Sequence, residues 1–206
     1  YRGAAIYAAV SDDGGKSFKP ETRVADHSCE CCRIAAAMDT DGAPLILWRH
    51  VFEPNERDHA LAKLRMDGTP AGIERATFDR WKVDGCPHHG PALAVAPDGT
   101  RHAVWFNQKN GEGRALYGRL ANGGIEGQRF VGGEQAARAD IAVAGRRIGI
   151  LWKEFDGERT QLHAEISEDG GASFKRLTLG AANGASDHPR AITFGKDLFA
   201  YWRTEL

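Results

Sequence analysis

Cysteine is scarce in this chain, with four residues among 206, and apolar runs are short. No stretch approaches the ~20 apolar residues that a membrane-crossing helix needs, so no transmembrane segment is expected. Neither sign of charge dominates: 27 Lys and Arg stand against 28 Asp and Glu, for a net charge of −1. With no basic run or stripe, a nucleic-acid partner is not expected. A starting Met and a signal-like segment are also absent. The chain opens at Tyr1, already in a strand pattern that continues through Ala4-Ala5-Ile6-Tyr7-Ala8-Ala9-Val10. The expectation is a mature form or a fragment whose address label has been removed, hence a periplasmic or secreted protein. No linker or break in composition marks a second domain, so residues 1–206 read as one domain or a fragment of one.

Glycine, by contrast, is abundant at 25 residues, which suits an architecture of many tight turns. An octet occurs twice, as Ser11-Asp12-Asp13-Gly14-Gly15-Lys16-Ser17-Phe18 and as Ser167-Glu168-Asp169-Gly170-Gly171-Ala172-Ser173-Phe174. The shared pattern has a physical logic. Asp accepts hydrogen bonds from the turn's own backbone, Gly adopts a positive φ, and the aromatic ring pins the turn onto a sheet. Four Trp-centred apolar segments, at 45–49, 102–106, 148–153 and 198–203, recur about every 50 residues, the length of one four-stranded propeller blade. Each follows a shorter apolar segment and a turn, at 34–38, 92–96, 141–144 and 191–194. Third strands are expected at 60–64, 115–120 and 162–166, each with a more polar fourth strand after it.

The paired octets resemble the Asp-box (BNR) repeats of sialidase-like β-propellers. The resemblance implies an all-β propeller of four-stranded antiparallel blades, lettered A to D outward from the axis. The chain holds four blade equivalents, beginning with strands C and D of one blade and ending with A and B of another. Two arrangements follow: a closed four-bladed ring, or part of a six-bladed ring of the sialidase type. In this frame the Asp boxes lie on C-to-D turns, on the face opposite the axial loops, and are structural.

The axial loops carry the chemistry. The first D-to-A connection reads Asp26-His27-Ser28-Cys29-Glu30-Cys31-Cys32-Arg33, the next Asp84-Gly85-Cys86-Pro87-His88-His89-Gly90-Pro91, and the last Ser186-Asp187-His188-Pro189-Arg190. All four cysteines fall here. The B-to-C connections add His50, Glu53, Arg57, Asp58 and His59. Aligned on their Trp residues, the blades place Cys29 and Cys86 at equivalent positions, so both sulfurs can approach the axis. Thiolates and imidazoles converging from separate loops suit a soft or borderline metal, with copper first and zinc as the alternative. The candidate ligands are Cys29, Cys31, Cys32, Cys86, His27, His50, His89 and His188. Four cysteines in an exported chain also fit two disulfides, in which case no cofactor is held. Cys31 and Cys32 point apart in an extended chain and so are expected to pair with Cys86 or Cys29 rather than with each other. His102 and His163 lie in strands and are read as structural, and Trp81 as a packing residue at a blade edge.

Sialidase-like catalysis requires arginines clasping a carboxylate, an acid/base Asp and a Tyr activated by a Glu. Arg33, Arg138, Arg190 and Arg203 are available for the clasp, with Asp58 and Glu154 as acid/base candidates. The Arg-Ile-Pro segment of true sialidases is absent, however, and Tyr201 lies within a strand beside Trp202. The Cys-x-Cys-Cys segment and the Gly-Cys-Pro-x-x-Gly-Pro segment at 85–91 are similar to those of a secreted bacterial branch of the sialidase-like proteins, which supports fold and export. Three function classes follow: a metal-binding propeller in metal handling or redox, a disulfide-locked binding or assembly propeller with a protein partner, and a glycoside hydrolase with a glycan or other small-molecule ligand at the axial face.

Overall fold

A computed structural model describes residues 3–109 and 112–205. Tyr1, where the sequence opens, lies outside the described residues. The short alternating segments form strands throughout, with no helix among the described residues. Three four-stranded antiparallel sheets succeed one another along the chain. The first comprises β3 (Ala35–Met38), β4 (Pro44–Arg49), β5 (His59–Leu64) and β6 (Pro70–Arg75). The second comprises β7 (Ala92–Val95), β8 (Arg101–Lys109), β9 (Glu112–Ala121) and β10 (Gly124–Val131). The third comprises β11 (Ala137–Ala144), β12 (Arg147–Phe155), β13 (Thr160–Ser167) and β14 (Lys175–Ala182). Before and after them stand two-stranded sheets, β1 (Ala4–Ala8) with β2 (Thr22–Ser28), and β15 (Arg190–Phe194) with β16 (Asp197–Tyr201). Within each sheet the strands pair in chain order, because short turns join antiparallel neighbours directly.

The tryptophans explain how the sheets stack. Trp48 packs with Ile6 and Val24 of the β1–β2 sheet, Trp105 with Leu45, Leu47 and Leu61 of the first four-stranded sheet, and Trp152 with Val104 and Tyr117 of the second. Each indole thus fills the layer between its own sheet and the preceding one, and all three are at most 1% exposed. Trp202 breaks the pattern. β16 ends at Tyr201, one residue short of it, and the half-buried Trp202 donates its indole N–H to Asp187 O at 3.1 Å. β3 lies beside β7, β7 beside β11 and β11 beside β15. Residues of all four strands line one cavity of about 200 Å³, among them Ala36, Leu93, Ile141 and Ala191. Small side chains are what four crowded strands can accommodate there.

The described strands do not close a ring. β1–β2 and β15–β16 remain separate two-stranded sheets, and the latter leaves Ile192, Phe194, Phe199 and Tyr201 exposed. The two Asp boxes repeat one hydrogen-bond scheme. Asp13 Oδ1 accepts from Ser17 N–H at 3.0 Å and Oδ2 from the Ser17 hydroxyl at 2.7 Å, and Asp169 accepts likewise from Ser173 at 2.9 and 2.6 Å. The Ser17 hydroxyl and backbone hold the Asp13 carboxyl down to about 2. The aromatic ends differ. Phe174 packs edge-on against Tyr117 of the preceding sheet at 5.3 Å, whereas Phe18 is 64% exposed. The box aromatic pins its turn only where a preceding sheet offers a surface, and among the described residues none stands before β1–β2.

Truncating Trp105 to Ala should therefore destabilise the fold by ~3–5 kcal/mol, the usual range for a buried aromatic. Trp202→Ala should lower stability by about 1 kcal/mol or less. Urea-denaturation midpoints of the two variants test the difference.

Candidate metal centre

The site begins where β2 ends. Cys29 N–H donates to Arg49 O at 2.9 Å and Val51 N–H to His27 O at 2.7 Å, knitting the end of β2 to the end of β4. The chain then turns back, with Cys32 N–H bonded to Cys29 O at 3.2 Å. This turn gathers three sulfurs: Cys29 lies 3.2 Å from Cys32 and 3.6 Å from Cys31, and Cys31 lies 3.9 Å from Cys32. The extended path expected for Cys31 and Cys32 is thus corrected to a turn, while each of the two sulfurs lies nearer to Cys29 than to the other. The 84–91 loop supplies the fourth sulfur, and the Sγ atoms of Cys29, Cys31 and Cys86 all lie within 4.8 Å of one another. All four cysteines are free thiols; Cys29 is buried and Cys86 faces solvent.

Two contacts hold the cysteine loops together. A Cβ at Gly90 would lie 2.5 Å from Arg33 O and 2.6 Å from Arg33 N, so only glycine permits this approach. Arg49, fully buried, is the second. It donates to His89 O at 3.1 Å, to Arg57 O at 2.8 Å and to Phe106 O, and its guanidinium lies over the Trp81 ring at 5.1 Å. These acceptors are carbonyl oxygens, and the anion-forming groups that act on Arg49 are the Cys32 and Cys29 sulfurs and, after them, Asp58. A buried guanidinium stays charged, so it favours negative charge on a neighbouring sulfur.

The thiols divide accordingly. The contact with Cys32 and burial push the Cys29 thiol well up, leaving the proton on Cys29. The same contact, then the Arg49 charge, hold Cys32 below its ordinary value against the effect of burial. Burial and the hydrogen bond to Cys86 raise Cys31 to about 11. Backbone strain collects nearby: His27, His88 and Arg138 have φ of 61, 55 and 59°, in the left-handed region that non-glycine residues seldom occupy. Arg138 also donates to His88 O, tying β11 to the Cys86 loop.

The histidines stand outside the sulfur group, and none joins the set of ligand atoms within 4.8 Å. His89 stacks on Phe106 at 3.9 Å, and burial, with Arg138 and Arg49 nearby, lowers it to about 3. His50 packs against Phe52 at 4.4 Å and edge-on to His27 at 6.2 Å, and burial lowers it to about 4. His188 is lowered to about 4 by burial and by Arg138 and Arg33. His102 and His163 bond to Tyr117 Oη at 2.8 Å and to Thr178 Oγ1 at 3.1 Å within their sheets.

The carboxylate candidates are held in internal networks. Asp58 is fully buried, bonded to Arg75 and to Arg80 N–H at 3.1 Å. Glu154 accepts from the Trp152 indole at 3.0 Å, Gly133 N–H at 3.1 Å and Arg176 at 3.1 Å. Glu53 is exposed on its loop. Arg190 lies 3.6 Å from Asp140, and Arg203 pairs with Asp187 at 2.9 Å. Arg33 and Arg190 share the lining of the cavity between the inner strands, together with Asp140. What sequence reasoning missed is the Cys29-x-x-Cys32 spacing nested within Cys-x-Cys-Cys, and the role of Arg49, whose signal was a lone Arg ending an apolar strand.

No family model matches the chain, and no curated protein matches it. Among solved structures it is similar to one titled Kuenenia stuttgartiensis Hydrazine Synthase, at 13% identity and a TM-score of 0.47, over 94% of this chain and 67% of that one.

Two outcomes follow from this geometry. Gly90→Ala should separate the cysteine loops, slowing Cys31–Cys86 cross-linking by a short bis-alkylating reagent while leaving Cys29–Cys32 bridging unchanged; peptide mass spectrometry distinguishes the two. The depressed histidines set a pH dependence. His50, His89 and His188, lowered from 6.5 to about 4, 3 and 4, bind fewer protons folded than unfolded. Their contribution is therefore complete above about pH 6.5 and is lost as pH falls toward 4. Denaturation midpoints across pH 4–7 should fall on acidification, and His89→Gln should flatten that fall.

Proposed function

We propose that this chain is an exported, sialidase-like β-propeller that binds a soft metal ion, copper(I) before zinc, through Cys29, Cys31 and Cys86, in metal handling or redox. The observation that carries this reading is the convergence of three sulfurs from two separate loops. Thiolate sulfur suits copper(I) and zinc alike, but three such donors complete a copper(I) set, whereas zinc would add a fourth ligand such as water. Cys32 is less well placed. Two sulfurs 3.2 Å apart subtend only about 90° at a metal ~2.3 Å from each. Arg49 offsets the negative charge of a thiolate set, and the left-handed residues His27 and His88 shape the loops that present it.

The propeller assignment draws on the Asp boxes, the repeated Trp layering and the four inner strands around one cavity. Export draws on the resemblance of the Cys-x-Cys-Cys and Gly-Cys-Pro-x-x-Gly-Pro segments. The hydrolase alternative is weaker because the Asp58 and Glu154 carboxylates are already held by internal partners. A disulfide-locked binding scaffold fits less well than metal binding because all four thiols are free.

Elemental analysis of fully reduced protein, with chelator competition, is the test. One copper(I) per chain is expected. Cys31→Ser and Cys86→Ser should each weaken binding by more than ~100-fold, above the 10–100-fold typical of groups around a metal's own ligands, and His89→Ala by less than ~10-fold. A reduced protein that retains neither copper nor zinc overturns the reading.

A further inference from the structure

Cys29 belongs to two sets at once. It is one of the three sulfurs within 4.8 Å that include Cys31 and Cys86, and it is the near neighbour of Cys32, at 3.2 Å across a hydrogen-bonded turn. We infer that Cys29 and Cys32 form a dithiol–disulfide couple that controls the sulfur site, its substrates being disulfides of the low-molecular-weight type. Closing the Cys29–Cys32 bond removes Cys29 from the three-sulfur set and leaves two donors. The release of an ion rests on the metal reading proposed above; the couple itself does not.

The geometry favours this pair over the other possible bridges. A disulfide needs its sulfurs at about 2.05 Å, so Cys29 and Cys32 must close by only about an ångström, within one turn whose backbone is already folded back. A Cys31–Cys86 bridge must instead join two separate loops, and the Cys29 and Cys31 sulfurs start farther apart, at 3.6 Å. The roles within the pair follow from access. Cys29 is 1% exposed, whereas Cys32 is half-buried and so the more accessible of the two.

The chemistry balances as follows. The Cys32 thiolate attacks the external disulfide, whose S–S bond breaks; a mixed disulfide forms on Cys32 and one thiolate leaves. The buried Cys29 thiol then attacks the Cys32 sulfur, its proton passing to the departing second thiolate, and Cys29–Cys32 forms. The protein dithiol is oxidised by two electrons and the external disulfide is reduced to two thiols.

The test uses the whole chain, reduced and freed of metal, exposed to oxidised glutathione, then alkylated and mapped by peptide mass spectrometry. The expected first product carries a Cys29–Cys32 bond, with the free-thiol count falling from four to two and two glutathione molecules released. Copper(I) affinity of that product should be lower by at least 100-fold and return with dithiothreitol. Cys32→Ser should bind copper(I) within about 3-fold of the native chain and keep it in oxidised glutathione; Cys32→Ala serves where Ser disturbs folding. A first bond that contains Cys31 or Cys86 overturns the couple. So does a Cys32→Ser protein that loses copper to the oxidant as readily as the native chain. If the reduced chain binds no copper while Cys29–Cys32 still forms, the metal reading and the control of it both fall, and mass spectrometry shows that the failure lies there and not in the couple.

Discussion

Arg49 is the one side chain on which the arrangement around the cysteines depends. It stands at the end of β4, where a strand of the first four-stranded sheet runs out toward the loops, and it is wholly buried. A guanidinium cannot shed its charge there, so its donors must all be met. It meets them with carbonyl oxygens of three different segments, at Arg57, His89 and Phe106, while its flat face rests on Trp81. Its own carbonyl takes the Cys29 N–H. One residue therefore fixes the position of the first cysteine, the path of the second cysteine loop and the sign of the local field.

The frame behind it is a succession of sheets in which each Trp closes the layer against the sheet before it. This makes stability sequential, each interface being set by one large indole and a ring of small apolar neighbours. It also explains why the ends behave differently. Phe18 and the β15–β16 aromatics repeat motifs that are buried elsewhere, yet they lie exposed because no neighbouring sheet covers them among the described residues. The same residue types at the same place in the repeat are core or surface according to whether a neighbour is present.

Much of this was legible in the sequence. The Trp-centred strands, the turns before them and the Asp boxes follow from short-range rules, namely apolar alternation and local side-chain to backbone bonding, and the strands fall within a few residues of their expected places. The convergence of Cys29 with Cys86 was legible once the repeat frame was drawn, since equivalent positions in adjacent repeats are neighbours in space. Other features were not. An extended path was expected for Cys31 and Cys32, and nothing in the composition of that segment announces its turn. Asp58 and Glu154 read as acid/base candidates, because their partners, Arg75 of β6, the Arg80 N–H in the loop after it and Arg176 of β14, stand 17 to 22 residues away and no local pattern announces them.

By itself, then, the sequence determined the strand order, the repeat length and the presence of sulfur and imidazole in the loops at one end of the sheets, all of which depend on periodicity and local chemistry. The tertiary structure decided which of those groups meet. It brought the four sulfurs together, set His50 and His89 aside against aromatic rings, and placed a buried cation beside Cys32. The physical reason is that side-chain convergence depends on turn geometry and on backbone contacts between loops, such as Gly90 against Arg33, in which residues far apart in the chain come within an ångström or two of clashing.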